Sequence, residues 1–265
     1  MKILYVGDVM GEAGIETVEK LLPKIVEEND VDLVIAQAEN VSDGKGLAVE
    51  DYERLKRAGV QAFTGGNWTL NLEETHDLLE DEDHPVTRPA NYPEGTAGKR
   101  YKIVDTSEGK VLVVSLLGSI VGKDADKPMD NPLAVIDGIL NKLSISDFEA
   151  VIVNFHGDFS SEKVVIGHYL DGHVTAVIGD HWHVPTADAR VLKGGTAHIT
   201  DVGMVGSLDS SLGVKFESVL PRWRDGIQTR NILETEGAMQ FNAVLVETNL
   251  ATKRAKSIKQ IRQIL

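Results

Sequence analysis

Seven side chains in this sequence stand just after apolar runs and share one chemical capability. They are Asp8 in YVGD, Glu39 and Asn40 in IAQAEN, Asn67 in GGN, His156 in VIVNFHG, and His181 and His183 in VIGDHWH. Carboxylate, amide oxygen and imidazole nitrogen, with no thiolate, form a ligand set for divalent metals such as iron, manganese or zinc. Singly, each residue has another use. An Asp after a first strand often caps a helix, an Asn after glycines suits a left-handed turn, and a lone His is commonly a satisfied core residue. Glu39 ends a strongly apolar run, where a buried carboxylate needs a metal or a salt bridge. His181 and His183 alter the balance. Spaced i, i+2 in extended backbone, they point to one side and reach one metal cluster. A carboxylate between two cations can bridge them, and Glu39 is the choice for that bridge.

The elements that must position these residues alternate in period. Lys2–Val6, Leu33–Ala38 and Gln61–Thr64 read as buried strands. Gly14–Glu28 and Val49–Ala58 between them carry apolar residues at helical spacing. This βαβαβ opening favours a parallel sheet, with ligands gathering beyond the carboxyl ends of its strands. A second series follows: strands Val111–Leu117, Val151–Phe155 and Thr175–Ile178, with helices Asn131–Leu143 and Ser160–Gly172. The second helix opens on Ser160, Ser161 and Glu162, an N-terminal capping signal. The last third is richer in strand signals, at Thr196–Val202, Met239–Glu247 and Ala255–Ile261. Arg88–Gly98 and Gly203–Gly213 read as surface or active-site loops. No repeat or composition break divides residues 1–265, so a single domain is expected.

With 265 residues, 42% hydrophobic and 26% charged, the chain can bury a sizeable core. No run approaches the roughly 18 apolar residues of a membrane span. The N-terminal apolar stretch is broken by Asp8 and reads as a strand rather than a secretion signal. There is no cysteine, so a cytoplasmic protein is the expectation. The net charge of −14 disfavours stable binding of long nucleic acids or anionic membranes. The basic C-terminal run, from Lys253 to Arg262, reads as a charge-protected edge strand. Bound metals would reverse the charge locally and let an acidic protein act on a phosphate.

The order Asp, Glu-Asn, Gly-Asn, His, His-x-His resembles the calcineurin-like binuclear metallophosphoesterases, and in detail their bacterial YmdB-like branch. The matching segments are GDVMG (7–11), AEN with GKGL (38–40 and 44–47), RPANYPEGTAGK (88–99), FHGDFSSEK (155–163) and HVPTADARVLKGGTAHITDVGM (183–204). The resemblance implies a four-layer α/β/β/α sandwich, two stacked mixed sheets flanked by helices. It implies two divalent ions per chain, iron or manganese first and zinc or magnesium next. Asp8, Glu39, Asn40 and His183 would hold one ion, and Glu39, Asn67, His156 and His181 the other. It implies hydrolysis of phosphodiester bonds by a hydroxide between the metals, on small phosphoesters or cyclic nucleotides such as 2′,3′-cyclic AMP, by a homo-oligomer.

Several positions depart from the superfamily's pattern. The superfamily's first motif is Asp-x-His and its second carries Asp; Met10 stands at that histidine and Glu39 at that Asp, changes for which the branch is known. The superfamily's third motif is Gly-Asn-His, whose histidine protonates the leaving group; here the residue is Trp68. Indole has one N–H that does not ionise near neutrality, so Trp68 is no general acid. Positioned acid–base catalysis contributes about 10²–10⁴-fold, so the alternative is a catalytically weakened metal- and nucleotide-binding regulator. Trp182 and Asp180 also replace usual threonines. Asp180 is a candidate partner for a ligand histidine. Trp68 and Trp182 would stack on a base or fill the cleft, and His76, Asp158 or a metal-bound water would be a substitute proton donor, with nothing in the spacing to select one.

Overall fold

A computed structural model describes the chain from Met1 to Leu265. The first half comprises β1 (Lys2–Val6), β2 (Asp8–Val9), α1 (Gly11–Asn29), β3 (Leu33–Gln37), α2 (Val49–Ala58), β4 (Ala62–Thr64) and α3 (Glu73–Glu80). The second series is β5 (Lys102–Thr106), β6 (Gly109–Leu117), α4 (Pro132–Lys142), β7 (Ala150–His156), α5 (Ser160–Tyr169), β8 (Ala176–Asp180), β9 (Arg190–Val191) and β10 (Ala197–Ile199). β11 (Met204–Ser207), α6 (Phe216–Asp225), β12 (Met239–Asn249) and β13 (Arg254–Ile264) complete the chain.

Two mixed sheets result. In the first, β1, β3 and β4 run parallel, and β12 lies antiparallel to β1. β13 pairs with β12, while β11 joins β12 to β2. In the second, β6, β7, β8 and β10 run parallel, with β5 and β9 antiparallel at the edges.

The two-residue period of each strand decides which layer a side chain enters. Ile3 and Tyr5 of β1 point inward with Leu33 and Ile35 of β3, meeting Val111, Val113, Ile152 and Ile178 of the other sheet. Leu4, Val6, Val34 and Ala36 point outward, onto Ile15, Val18, Leu22 and Ile25 of α1 and Leu55 of α2. On the far side, Leu112, Val114, Val151 and Val153 pack on Ile136 and Ile139 of α4 and Ile166 of α5. The central strands β1, β3, β6, β7 and β8 are buried on both faces because each sheet is covered twice there. The expected α/β/β/α sandwich is the observed one.

Several local expectations need correction. α5 is shorter than Ser160–Gly172, and no serine caps it: Phe159 is the N-cap, without a side-chain bond. Glu162 instead accepts from the amide and hydroxyl of Ser119, so a tertiary contact has taken the capping group. Gly203–Gly213 is not all loop, since Met204–Ser207 is the buried strand β11. Its four-residue length, with Gly206 inside it, hides any period. Thr196–Val202 shrinks to β10 because Thr200 and Asp201 leave the ladder to bond Asp188 and Thr186. Arg88–Gly98 is loop, but Arg88 is buried, its guanidinium held by the carbonyls of Pro89 and Ala97. β5, α3 and α6 were not legible as elements. β13 is an edge strand, as its charge suggested, and Lys256 pairs with Glu247 of β12 at 2.6 Å.

Ile152 fills the space between the sheets and is fully buried. Ile152→Ala should lower the unfolding free energy by about 2–5 kcal/mol, measured by urea denaturation. A loss under about 1 kcal/mol would mean that the two sheets do not depend on this interior.

Candidate metal centre

The carboxyl ends of the parallel strands of both sheets open at one edge, and the site-bearing loops leave from there. Asp8 follows β1, Glu39 and Asn40 follow β3, Asn67 follows β4, His156 ends β7, and His181 and His183 follow β8. All seven residues converge. Glu39 Oε1 lies 3.0 Å from His156 Nε2, which is also 3.0 Å from Asn67 Oδ1. The imidazoles of His156 and His181 meet edge to face at 4.4 Å. One ligand atom each from Glu39, His156 and His181 lies within 4.8 Å of the others, so these three could hold a metal ion. On the other side of Glu39, the Asn40 amide donates to Glu39 Oε1 at 3.4 Å and Asp8 Oδ1 at 3.5 Å. His183 Nε2 stands 3.4 Å from that amide and 3.7 Å from Asp8 Oδ1.

The backbone reaches this arrangement by close approach. A Cβ on Gly66 would lie 2.4 Å from His156 Cδ2 and 2.5 Å from Glu39 Oε2, so only glycine fits. The turn it makes sends the Trp68 amide N–H to Glu39 Oε2 at 2.8 Å. His181 and His183 do not lie in extended backbone. Their φ values are +102° and +62°, so left-handed bends at both residues, rather than strand alternation, bring the two rings to the site. Such bends are costly for non-glycine residues and are held by their surroundings. The buried ammonium of Lys163 donates to Asp180 O at 2.5 Å and Asp201 Oδ2 at 2.8 Å. Asp201 Oδ2 also accepts from Trp182 N at 2.9 Å.

A buried polar network behind these candidate ligands was not assigned from the sequence, apart from Asp180. Asp180 Oδ1 is 2.7 Å from His156 Nδ1, and its Oδ2 accepts from Tyr5 OH, Asn154 and Gln37. This fixes the ring with Nε2 facing Glu39 and Asn67. Asp124 takes the Asn67 amide N–H at 2.9 Å and so turns the amide oxygen toward His156. Gln37 and Asn154 did carry a signal, as polar residues inside otherwise apolar strands.

Charge is unevenly compensated here. Burial raises the Glu39 carboxyl, but the His156 charge, its hydrogen bond and the Trp68 amide outweigh this and hold it below the usual range. Burial lowers His156, yet Glu39 and Asp180 together push it well above an ordinary histidine. Burial and the neighbouring His156 charge bring His181 down to about 4. Burial, joined by Asp180, drives Asp8 well above a normal carboxyl. No lysine or arginine forms an ion pair with Asp8 or Glu39. Buried oxygen and imidazole donors with no lysine or arginine paired to them fit a divalent cation, as their chemistry requires.

Two cleft lobes of about 690 and 500 Å³ open above the site, sharing Lys45, Trp68, Lys123 and His181. Trp182 is not among their lining residues. Its ring lies 4.0 Å from the Lys163 ammonium and its indole N–H bonds Asp158 O. It packs rather than stacks. Nor does His76 line either lobe; its Nε2 meets Leu70 O. Asp158 does line the smaller lobe. Met10 is buried against Met204, Val214, Val219 and Leu233, an apolar anchor at the departing position of the first motif.

Because Asp8 is buried and raised, its ionisation opposes folding when no metal is bound. Its favourable contribution exists below the normal carboxyl pKa and is lost as pH rises through the raised one. At neutral pH, Asp8→Asn should therefore raise the Tm of EDTA-treated protein, by about 2–4 °C per kcal/mol relieved. The gain should shrink toward about pH 4, where the carboxyl is protonated in either state. The variant should also lose most of the further rise that Mn²⁺ gives the parent. A lower Tm with an intact Mn²⁺ response would contradict this account.

The family described as YmdB-like protein matches residues 4–261 of this chain. The 2′,3′-cyclic-nucleotide 2′-phosphodiesterase of Bacillus subtilis (strain 168) is 35% identical over 261 residues, covering 98% of this chain and 96% of that protein. A phosphatase from Mycoplasma pneumoniae superposes with a TM-score of 0.92 at 31% identity, over 100% of this chain and 93% of the other. A 5′-nucleotidase precursor from Thermus thermophilus shares the fold alone, with a TM-score of 0.60 at 11% identity, over 100% of this chain and 54% of that one. The motifs, the sandwich and these relatives agree: the chain belongs to the YmdB-like family.

Proposed function

We propose that this protein is a metal-dependent phosphoesterase that hydrolyses phosphodiester bonds, with 2′,3′-cyclic nucleotides as its substrate class. The observation that carries the reading is the convergence of buried Asp8 and Glu39 with His156, His181 and His183, in a cleft also lined by Lys45 and Lys123. Asp8, Glu39, Asn40 and His183 would hold one divalent ion, and Glu39, Asn67, His156 and His181 a second, iron or manganese. Bound there, the pair supplies an activated water and neutralises charge on the transferring phosphoryl group.

The chain's own residues do the rest. Asp180 keeps His156 Nδ1 occupied, so that Nε2 faces Glu39 and Asn67. The Trp68 backbone, not its indole, holds Glu39 Oε2. Lys45 and Lys123 offer positive charge to the phosphate in an otherwise acidic protein. No group at position 68 can protonate a leaving alkoxide, so turnover depends on another donor; Asp158 is the candidate that faces the cleft. The name of the Bacillus subtilis relative supports turnover over a purely regulatory role. A single-domain, cytoplasmic homo-oligomer acting on small phosphoesters remains part of the proposal, on the strength of the family resemblance.

Protein loaded with Mn²⁺ should hydrolyse 2′,3′-cyclic AMP, and Glu39→Gln should reduce the rate at least about 100-fold. Trp68→His should raise kcat on the cyclic nucleotide about tenfold or more, and less on bis(p-nitrophenyl) phosphate, whose leaving group needs no proton. Parent turnover no faster than Glu39→Gln would sink the phosphoesterase reading.

A further inference from the structure

Of the three tryptophans, Trp223 alone is fully presented to solvent, at 81% exposure. It stands on α6 and lines the larger lobe together with Glu39, Asn40, His181 and His183. A bare indole at this exposure has no packing role within the chain, and its helix is nonetheless firmly placed. Val219 of α6 is buried against Met10, Met204 and Val214. The Arg222 guanidinium donates to Thr229 O and Asn231 Oδ1, both at 2.9 Å, tying the helix to the returning chain. Gly226, at φ +69°, closes the helix in a left-handed cap. The wall is thus a fixed platform, and Arg222 and Arg230 line the same lobe. A lobe of about 690 Å³ is far larger than a phosphate group requires and lies within the range of sites for whole small molecules.

We propose that Trp223 is the platform on which the nucleobase of the substrate stacks, with the Arg222 and Arg230 side of the lobe bordering it. This inference rests on the phosphoesterase reading and adds what selects nucleotides over other phosphoesters. A base offers an aromatic face whatever its identity, so the subsite favours nucleotides as a class without strong preference among bases. Holding the base rather than the reacting phosphate, Trp223 would act on substrate affinity and not on the chemical step.

The test is a calorimetric titration of Mn²⁺-loaded protein with adenosine 3′-monophosphate and with ribose 3-phosphate, which lacks the base. The parent should bind the nucleotide about five- to hundredfold more tightly. Trp223→Ala should abolish that preference, and Trp223→Phe should retain most of it. In hydrolysis, Trp223→Ala should raise KM for 2′,3′-cyclic AMP by a similar factor and leave kcat within about twofold. Equal binding of the two ligands by the parent, alongside normal turnover, overturns the platform and leaves the phosphoesterase reading intact. So does an unchanged preference in Trp223→Ala, including the case where that variant only dissociates an oligomer built on α6. Binding of neither ligand overturns the platform and the nucleotide reading together.

Discussion

Two carboxylates, Asp8 and Glu39, are held out of water at the shared end of two sheets with no lysine or arginine paired to either. Much of the surrounding structure is arranged to tolerate that. Glu39 is satisfied locally, by His156, Asn40 and a backbone N–H. Asp8 has only long contacts to the Asn40 amide, the His181 N–H and the His183 ring. A buried carboxylate as poorly compensated as Asp8 destabilises a fold unless a cation joins it. That cost at Asp8 is one a bound cation would offset.

Around these anions the protein uses neutral donors, the His156 ring and one ammonium at a distance. Tyr5, Gln37 and Asn154 converge on Asp180, and Asp180 on His156. Lys163 satisfies Asp201 and the carbonyl of Asp180, anchoring the loop that carries His181 and His183 in left-handed conformations. Placing the lysine beside Asp201 rather than Asp8 leaves the negative field of the site intact. Met10, in place of a histidine, then turns the neighbouring space apolar and seats the α6 segment beside the cleft.

The seven converging positions were legible because each follows a strand whose aliphatic, β-branched composition is unmistakable, and strand ends in parallel sheets converge. Val49–Ala58 was read with the bounds the structure has, since its apolar spacing is uninterrupted. What escaped depends on tertiary context. The i, i+2 spacing of His181 and His183 suggested strand alternation, yet the real cause is a pair of bends stabilised by Lys163, from the preceding helix. Glu162 had the spacing of a cap and was taken by Ser119. β11, four residues with Gly206 inside, is too short to show a period, and α6 places its one buried side chain, Val219, against residues from other segments. Nothing in the local sequence marks Trp223 as part of the cleft, because only the fold brings α6 there.

The central claim is that the seven donors form two cation sites sharing Glu39. Equilibrium dialysis of EDTA-stripped protein against Mn²⁺, with bound metal counted by atomic emission, addresses it directly. The account predicts two ions per chain in the parent and loss of both high-affinity sites in Glu39→Gln, because that carboxylate serves each. A parent that retains one ion or none, or a Glu39→Gln variant that still holds two, would contradict it.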